Sequence, residues 1–395
     1  MKALVHLRSC LSYDRDLVLQ AVESVLAASE KAGTFPDVKG KKVLLKPNML
    51  LAADPERAVS THPEVLRAVI RAFAQRGAKL VVGESPAVHS GLVAAKKCGL
   101  FAVSEEEGIP WVDFSSTVMV ENPDGRLVKR FEIAQEAAEA ELIVSLPKFK
   151  THQLLYFTGA MKNLFGVISG LQKAAFHLRF PNRQDFAAMI TDLCLALRPT
   201  YSIMDAVIGM EGKGPGNGDP RQVGLILGSA DILALDWAAA SIMGYEADRI
   251  PNLKDALGRG AWMTEPSQLE VEGSNLEVLQ LEDFKIRNYK RVRESSDAGI
   301  GAMSGRGFFF NIGRNLLTSR PFFNDAKCIR CGECVAICPA KALSFVQKVG
   351  LRSPEKLSSA VASKHIAIDY DKCLRCYCCH EVCGVDAIDL KRRLF

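Results

Sequence analysis

Nine of the 12 cysteines in this chain lie in its last 68 residues, and eight of those nine repeat one pattern. The first copy is Cys328-x2-Cys331-x2-Cys334-x3-Cys338, followed by Pro339. The second is Cys373-x2-Cys376-x2-Cys379-x3-Cys383, followed by Gly384. Three thiolates two residues apart in a tight loop can reach three corners of one iron–sulfur cube. The chemistry of such a group is one-electron transfer. Zinc takes paired Cys-x2-Cys units rather than triplets with a distant fourth ligand. A disulfide scaffold also fits poorly, because the cysteine-poor region ahead is long enough to build its own core. The opening MKALVHLRSC, interrupted by Arg8, does not read as a secretory signal.

The duplicated run resembles that of bacterial-type ferredoxins, where the fourth cysteine of each run ligates the other cluster. That resemblance implies one cluster on Cys328, Cys331, Cys334 and Cys383, and a second on Cys373, Cys376, Cys379 and Cys338. Cys378 is out of register and reads as a packing residue beside a cluster. Cys10, Cys98 and Cys194 read as small buried hydrophobes. Formal charge is +5, and from residue 324 onward 12 Lys and Arg stand against 8 Asp and Glu. Two clusters of roughly −2 each would nearly cancel that excess. Lys327, Arg330, Lys372 and Arg375 then compensate cluster charge; no stacking aromatics are interleaved among them, so no nucleic-acid partner is expected.

A second group of chemistry-bearing residues lies upstream: Lys46, Asn48, Glu84, Ser85, Lys148, Lys150, Thr151, His152, Lys162, Asn163 and Asp205. The elements that must position them read as an α/β domain with a mostly parallel sheet and helices on both faces. Strands are expected at MKALVHLR, 41–48, 79–85, 141–152 (broken at Pro147), 201–210 and 223–229. Helices are expected at 14–32, about 62–76, 155–170, 183–197 and 231–243, with an inserted hairpin at 117–132 around Asn122-Pro123-Asp124-Gly125. The polar residues follow strand ends, where open α/β sheets bind ligands. If the strands are neighbours, four lysines, one histidine and two or three carboxylates converge on an anion-binding, proton-handling cleft. The bland alternative is that each caps its strand in solvent.

Within LPKFKTHQLLYFTGAMKNLFGVISG, Gly159, Gly166 and Gly170 suit close backbone approach better than a free-standing helix. A helix N-terminus near Lys150 and Thr151 could hold a phosphate or carboxylate; an amphipathic core helix with a basic flank is the alternative. In the stretch Gly209 to Asp219, glycines at 209, 212, 214, 216 and 218 match no nucleotide motif. They suit a mobile lid or close approach to a ligand at Gly212 and Gly214, or a plain flexible loop. Glu211 within it could be an acid, a base or a metal ligand.

KPN at 46–48, GES at 83–85, LPKFKTH…MKNLFG, and MDAVIGMEGKGP followed by LGSADILALD resemble the domain-of-unknown-function family 362 over roughly 1–245. The resemblance implies an iron–sulfur cytoplasmic protein and a common site of Lys46, Asn48, Glu84, Lys148, His152, Lys162, Asn163, Asp205 and Glu211, without assigning roles. The chain divides into an α/β domain (1–285), an aromatic-rich docking linker (286–323) and a small α+β ferredoxin-type domain (324–395). The linker's minority reading is an amphipathic contact with a membrane or partner. The spacing between Cys338 and Cys373 predicts an insertion at 346–364, with a helix as one form it could take.

Two function classes follow. A reductase would pass electrons from two 4Fe-4S clusters to an anionic substrate, or to a second organic cofactor of unknown identity, with lysines binding the anion and His152 or Glu84 moving protons. An electron carrier or feeding subunit would use the cleft only for docking to a donor or acceptor protein. A third class keeps the clusters structural or sensory. Oxygen-sensitive clusters and reduced thiols place the protein in the cytoplasm, and no run approaches a transmembrane span.

Overall fold

The computed structural model describes residues 2–86, 91–170, 172–273, 275–286, 319–347 and 364–391. Its central sheet is built from β1 (Ala3–Ser9), β2 (Lys42–Pro47), β3 (Lys79–Gly83), β4 (Trp111–Val112), β7 (Leu142–Leu146), β8 (Lys148–His152), β9 (Tyr156–Thr158), β10 (Tyr201–Glu211), β11 (Asp219–Ser229) and β12 (Leu269–Glu272). The main path runs β12-β1-β11-β10-β7-β2-β3-β4, with β8 and β9 branching from β10. Only β11 and β9 run antiparallel to their neighbours. The expected mostly parallel α/β architecture is therefore present.

Parallel strands read as apolar runs because both their faces are buried. Leu44 of β2 enters one core with the helices Arg183–Leu197 and Ile232–Ile242. Its neighbours Val43 and Leu45 enter the other, against Arg15–Lys31 and Pro63–Gln75. That is the period of two expected of a strand. The helices start where side chains cap them: Asp14 accepts from the Asp16 and Leu17 amides, and Asn182 from that of Asp185. The hairpin β5 (Thr117–Glu121) and β6 (Arg130–Ala134) forms its own ribbon, as expected. Buried Asp192 ties it down by accepting from the Arg126, Leu127 and Val128 amides.

The expected helix at 155–170 is a correction. The segment is β9, then a short helix Ala160–Asn163 and a 3-10 turn Leu164–Val167. The glycines explain this: a Cβ at Gly159 would lie 2.2 Å from Asp236 Oδ1, and one at Gly166 2.0 Å from Glu84 Oε1. Backbone approach to neighbours, not helical periodicity, shapes the segment.

The C-terminal unit has two antiparallel ribbons, β13 (Arg320–Phe323) with β16 (Ile388–Lys391), and β14 (Leu343–Gln347) with β15 (Lys364–Ile368). Helices Glu333–Ile337 and Cys378–Glu381 each follow a cysteine loop. Arg320–Phe323, placed in the linker by sequence, is thus a strand of this unit. The rest of the linker, and the insertion between β14 and β15, lie largely outside the described residues.

Candidate functional site

A pocket opens beyond the carboxyl ends of β2 and β3, closed on its far side by the C-terminal unit. Asn48, Glu84, Ser85, Lys150, His152, Thr158, Lys162, Asn163, Lys173 and His177 line it from the α/β side, with Met49, Leu50, Phe165, Gly166, Ala174 and Pro215. Ile337, Cys378, Glu381 and Val382 line it from the other. Ala174 packs with Ile337, Cys378 and Val382 in one apolar cluster, so the two units share a small core at the pocket's edge.

The floor is a buried ion pair. Lys46 is fully buried and Glu84 2% exposed; Lys46 Nζ donates to a Glu84 carboxylate oxygen and to Pro47 O at 3.3 Å. Burial pushes the Lys46 ammonium down, and the Glu84 charge partly offsets that. Asn163 fastens the pair to the sheet, donating to Lys46 O and Ser145 Oγ, both at 3.0 Å. Its Oδ1 accepts from Asn48 Nδ2 at 3.1 Å. The short helix carrying Lys162 and Asn163 is set by Asp236, which accepts from the Ala160 and Met161 amides at 2.6 and 3.0 Å.

Lys148, Lys150 and His152 alternate along β8, which is buried throughout. Lys150 and Thr151 therefore lie on a strand, and the expected helix N-terminus there does not exist. Lys150 Nζ donates to Val59 O at 2.6 Å, and burial, aided by the Lys162 and Lys148 charges, pushes its pKa down to about 7. His152 Nδ1 accepts from the Leu154 and Leu155 amides. That pattern assigns the proton of the neutral ring to Nε2, which faces Glu381 Oε1 at 3.3 Å. Lys148 and Asp205 separate from the pocket. They form their own buried pair at 2.8 Å, bridged by the Tyr13 hydroxyl; Tyr13 in turn stacks on His62 with centroids 3.5 Å apart.

Besides Thr158, three titratable groups that sequence reasoning missed complete the pocket. Lys173 donates to Ser85 O and Pro86 O, and burial pushes its pKa to about 7. His177 is pushed down to about 3 by burial and is neutral at pH 7. Glu381, from the cysteine-rich unit, is buried, which raises its pKa; Lys162 and Lys150 oppose that shift. Only Glu381 had a sequence signal, its place at the end of the second cysteine run.

Glu211, Gly212 and Gly214 do not line the pocket. Glu211 pairs with Lys285 at 2.9 Å, and the Gly212 amide donates to Lys285 O. The glycine-rich loop holds the C-terminal unit: Asn217 Nδ2 donates to His380 O, Lys213 pairs with Asp386 and Asp389, and Arg57 spans Gly216 O and Gly384 O.

The eight motif cysteines divide between two cavities. Cys328, Cys331, Cys334 and Cys383 line one; Cys338, Cys373, Cys376 and Cys379 line the other. The backbone repeats with them: Arg330 and Arg375 (φ 61 and 60), Gly332 and Tyr377 (85 and 66), and Lys341 and Asp386 (49 and 49) are all left-handed. Turns with left-handed residues can form concave nests of backbone amides that suit an anion. At matching positions, the Ala342 amide donates to Cys338 Sγ at 3.3 Å and the Ala387 amide to Cys383 Sγ at 3.2 Å. Among the described residues no group of three His, Cys, Asp or Glu side chains is arranged to hold a metal ion; four thiols spread around a cavity instead suit the corners of a cube. Cys378 lines both the second cavity and the lysine-bearing pocket.

Comparison with known proteins fits this geometry. Residues 43–241 match the family described as Domain of unknown function (DUF362), and residues 327–387 match the 4Fe-4S dicluster domain. The chain is 33% identical over 298 residues to the thylakoid-associated protein sll1697 of Synechocystis sp., covering 72% of this chain and 91% of that protein. Over 82 residues it is 32% identical to NADH-quinone oxidoreductase subunit I of Pelobacter propionicus, covering 21% of this chain and 42% of that one. Over 75 residues it is 32% identical to pyruvate synthase subunit PorD of Methanothermobacter marburgensis, covering 19% and 69%. No described helix is long and apolar enough to cross a membrane.

Proposed function

Because the chain belongs to the domain-of-unknown-function family 362 and ends in a 4Fe-4S dicluster domain, we propose that it is an iron–sulfur oxidoreductase reducing an anionic molecule in the lysine-lined pocket. One observation carries this reading: the helix Cys378–Glu381 faces a cysteine cavity and the pocket at once. The two thiol quartets, Cys328, Cys331, Cys334, Cys383 and Cys338, Cys373, Cys376, Cys379, would each hold one cluster. When bound, the clusters supply single electrons. The polypeptide does the rest. Lys162 attracts the anion, while Lys46, neutralised by Glu84, shapes the floor. Lys150 and Lys173, each near a pKa of 7, can hold or release a proton at neutral pH. His152 presents Nε2–H beside Glu381. Ile337, Val382 and Leu50 exclude water from the wall that electrons cross.

The test is anaerobic. Dithionite-reduced protein, freed of excess reductant, is mixed with small organic acids while its visible absorption is followed. An acid that binds should speed reoxidation, and Lys162→Met should weaken its binding and slow that reaction at least tenfold.

A second reading, an electron-feeding subunit, is favoured by the names of the two relatives of the C-terminal unit and by exposed Cys331 and Ile329 (67% exposed) at the first cavity. It gains if no acid speeds reoxidation while a redox protein does. A cytoplasmic location is part of this reading, because oxygen-sensitive clusters and thiolate ligands persist in a reducing compartment; cell fractionation tests this against the thylakoid association in a relative's name.

A further inference from the structure

Among the described residues, four side chains lining the pocket carry buried polar atoms without a hydrogen-bond partner: Asn48 Oδ1, Thr158 Oγ1, His177 Nδ1 and Glu381 Oε1, the last facing His152 Nε2 at 3.3 Å. Thr158 is 3% exposed and His177 5%. Buried polar atoms in folded proteins are nearly always satisfied, so four around one pocket call for groups that a ligand or water supplies. Their chemistry says which. The Asn48 amide donates from Nδ2 to Asn163, which leaves Oδ1 as an acceptor that needs an N–H or O–H. Thr158 offers a hydroxyl that gives or takes a proton. His177 stacks on Phe186 with centroids 4.3 Å apart.

The lining lysines differ in availability. Lys150 and Lys173 donate to backbone carbonyls, and Lys46 beneath them is paired with Glu84. Lys162 Nζ lies 4.8 Å over the Phe165 ring and, among the described residues, makes no hydrogen bond or ion pair. Burial lowers its pKa while the Glu381 charge in the same pocket favours the ammonium, and it is the lysine left for an incoming anion. Leu50, Ile337 and Val382 give the lining an apolar stretch beside the Glu381 carboxylate, and an inorganic anion would leave that stretch wet.

Resting on the reading of this pocket as the ligand site, we infer that its ligand is a small organic acid that also bears a hydroxyl or N–H donor. The carboxylate pairs with Lys162, the donor meets Asn48 and Thr158, and the carbon body lies against Leu50, Ile337 and Val382.

Calorimetry on the full-length, anaerobically purified protein decides this with four probes: 4-hydroxycinnamate, cinnamate, 4-hydroxybenzyl alcohol and inorganic phosphate. The first should bind about tenfold tighter than cinnamate, the gain expected from satisfying one buried polar atom. The alcohol, lacking the acid, and phosphate, lacking the body, should bind more weakly still. The near-isosteric Thr158→Val should shrink the hydroxyl's advantage without changing cinnamate binding, and Lys162→Met should weaken both acids alike. Equal affinity for cinnamate and its hydroxy form, tighter binding of phosphate, or no binding of any probe at millimolar concentration would overturn the inference. Binding is read as heat, without electrons. If 4-hydroxycinnamate binds as expected but leaves reoxidation unchanged, the ligand class stands and electron delivery to the pocket fails. If an acid without a donor binds as tightly and speeds reoxidation, the reverse holds.

Discussion

A methyl group added at Gly166 would lie 2.0 Å from Glu84 Oε1 and 2.5 Å from Lys46 Nζ. The glycine is there because a buried ion pair occupies the space where its side chain would be. Gly166→Ala should therefore destabilise the fold by about 1–3 kcal/mol, the usual range for overpacking, measured by urea unfolding. Lys46→Met should cost more, about 3–5 kcal/mol, because it strands the Glu84 carboxylate. Adding Glu84→Gln should recover part of that loss; a double variant as unstable as the sum of the singles would rule out the pair as the cause. At this scale much was legible. Lys46, Asn48, Glu84, Lys150, His152, Lys162 and Asn163 were found by their places at strand ends or in the segment that follows, and all are at the pocket or its floor. Lys173, His177 and Thr158 were not, because nothing local distinguishes a helix lysine or strand threonine that faces a pocket from one that faces a core. Lys148 and Asp205 looked alike in sequence to the others but spend their charges on each other.

Elements show a different limit. Glycine spacing at 209–218 signalled close backbone approach, and that is what occurs, but the partner is protein. A Cβ at Gly214 would lie 2.1 Å from Thr151 O, and one at Gly216 2.7 Å from Glu381 O. The sequence could not say that the loop meets the helix Cys378–Glu381, since that contact joins segments more than 160 residues apart. The ties are unequal. Lys213 has a half-exposed side chain, so Lys213→Ala should change stability by no more than about 0.5 kcal/mol. Arg57 spans both units through its guanidinium, and Gly216→Val pushes directly on the helix. In hydrogen exchange, Arg57→Ala and Gly216→Val should each speed exchange across 378–384 about tenfold, while Lys213→Ala leaves it unchanged. Equal effects from all three would mean that surface charge, not backbone fit, holds the units together.

At the scale of the whole molecule, the arrangement is a series: an outer cysteine cavity, an inner one, then the pocket. The outer cavity contains exposed Cys331 and is bordered by exposed Ile329 and Val385. The inner one shares Cys378 with the pocket. The repeated backbone makes this order depend on an exchange, in which the last cysteine of each run serves the cavity of the other. Cys383 follows Cys379 in sequence yet lines the outer cavity with Cys328, Cys331 and Cys334. Cys383→Ser should therefore resemble Cys328→Ser and not Cys373→Ser, although it belongs to the second run. Each variant should retain roughly four of about eight irons. Low-temperature electron paramagnetic resonance of the reduced protein should show the same surviving signal in Cys328→Ser and Cys383→Ser, and the other signal in Cys373→Ser and Cys338→Ser. Loss of the inner quartet should stop reoxidation by a pocket-bound acid even though the outer signal remains. Loss of the outer quartet should leave that reoxidation possible and remove reduction by a protein donor. If Cys383→Ser grouped instead with Cys373→Ser, each run would serve its own cluster, and the order of the series would have to be drawn again.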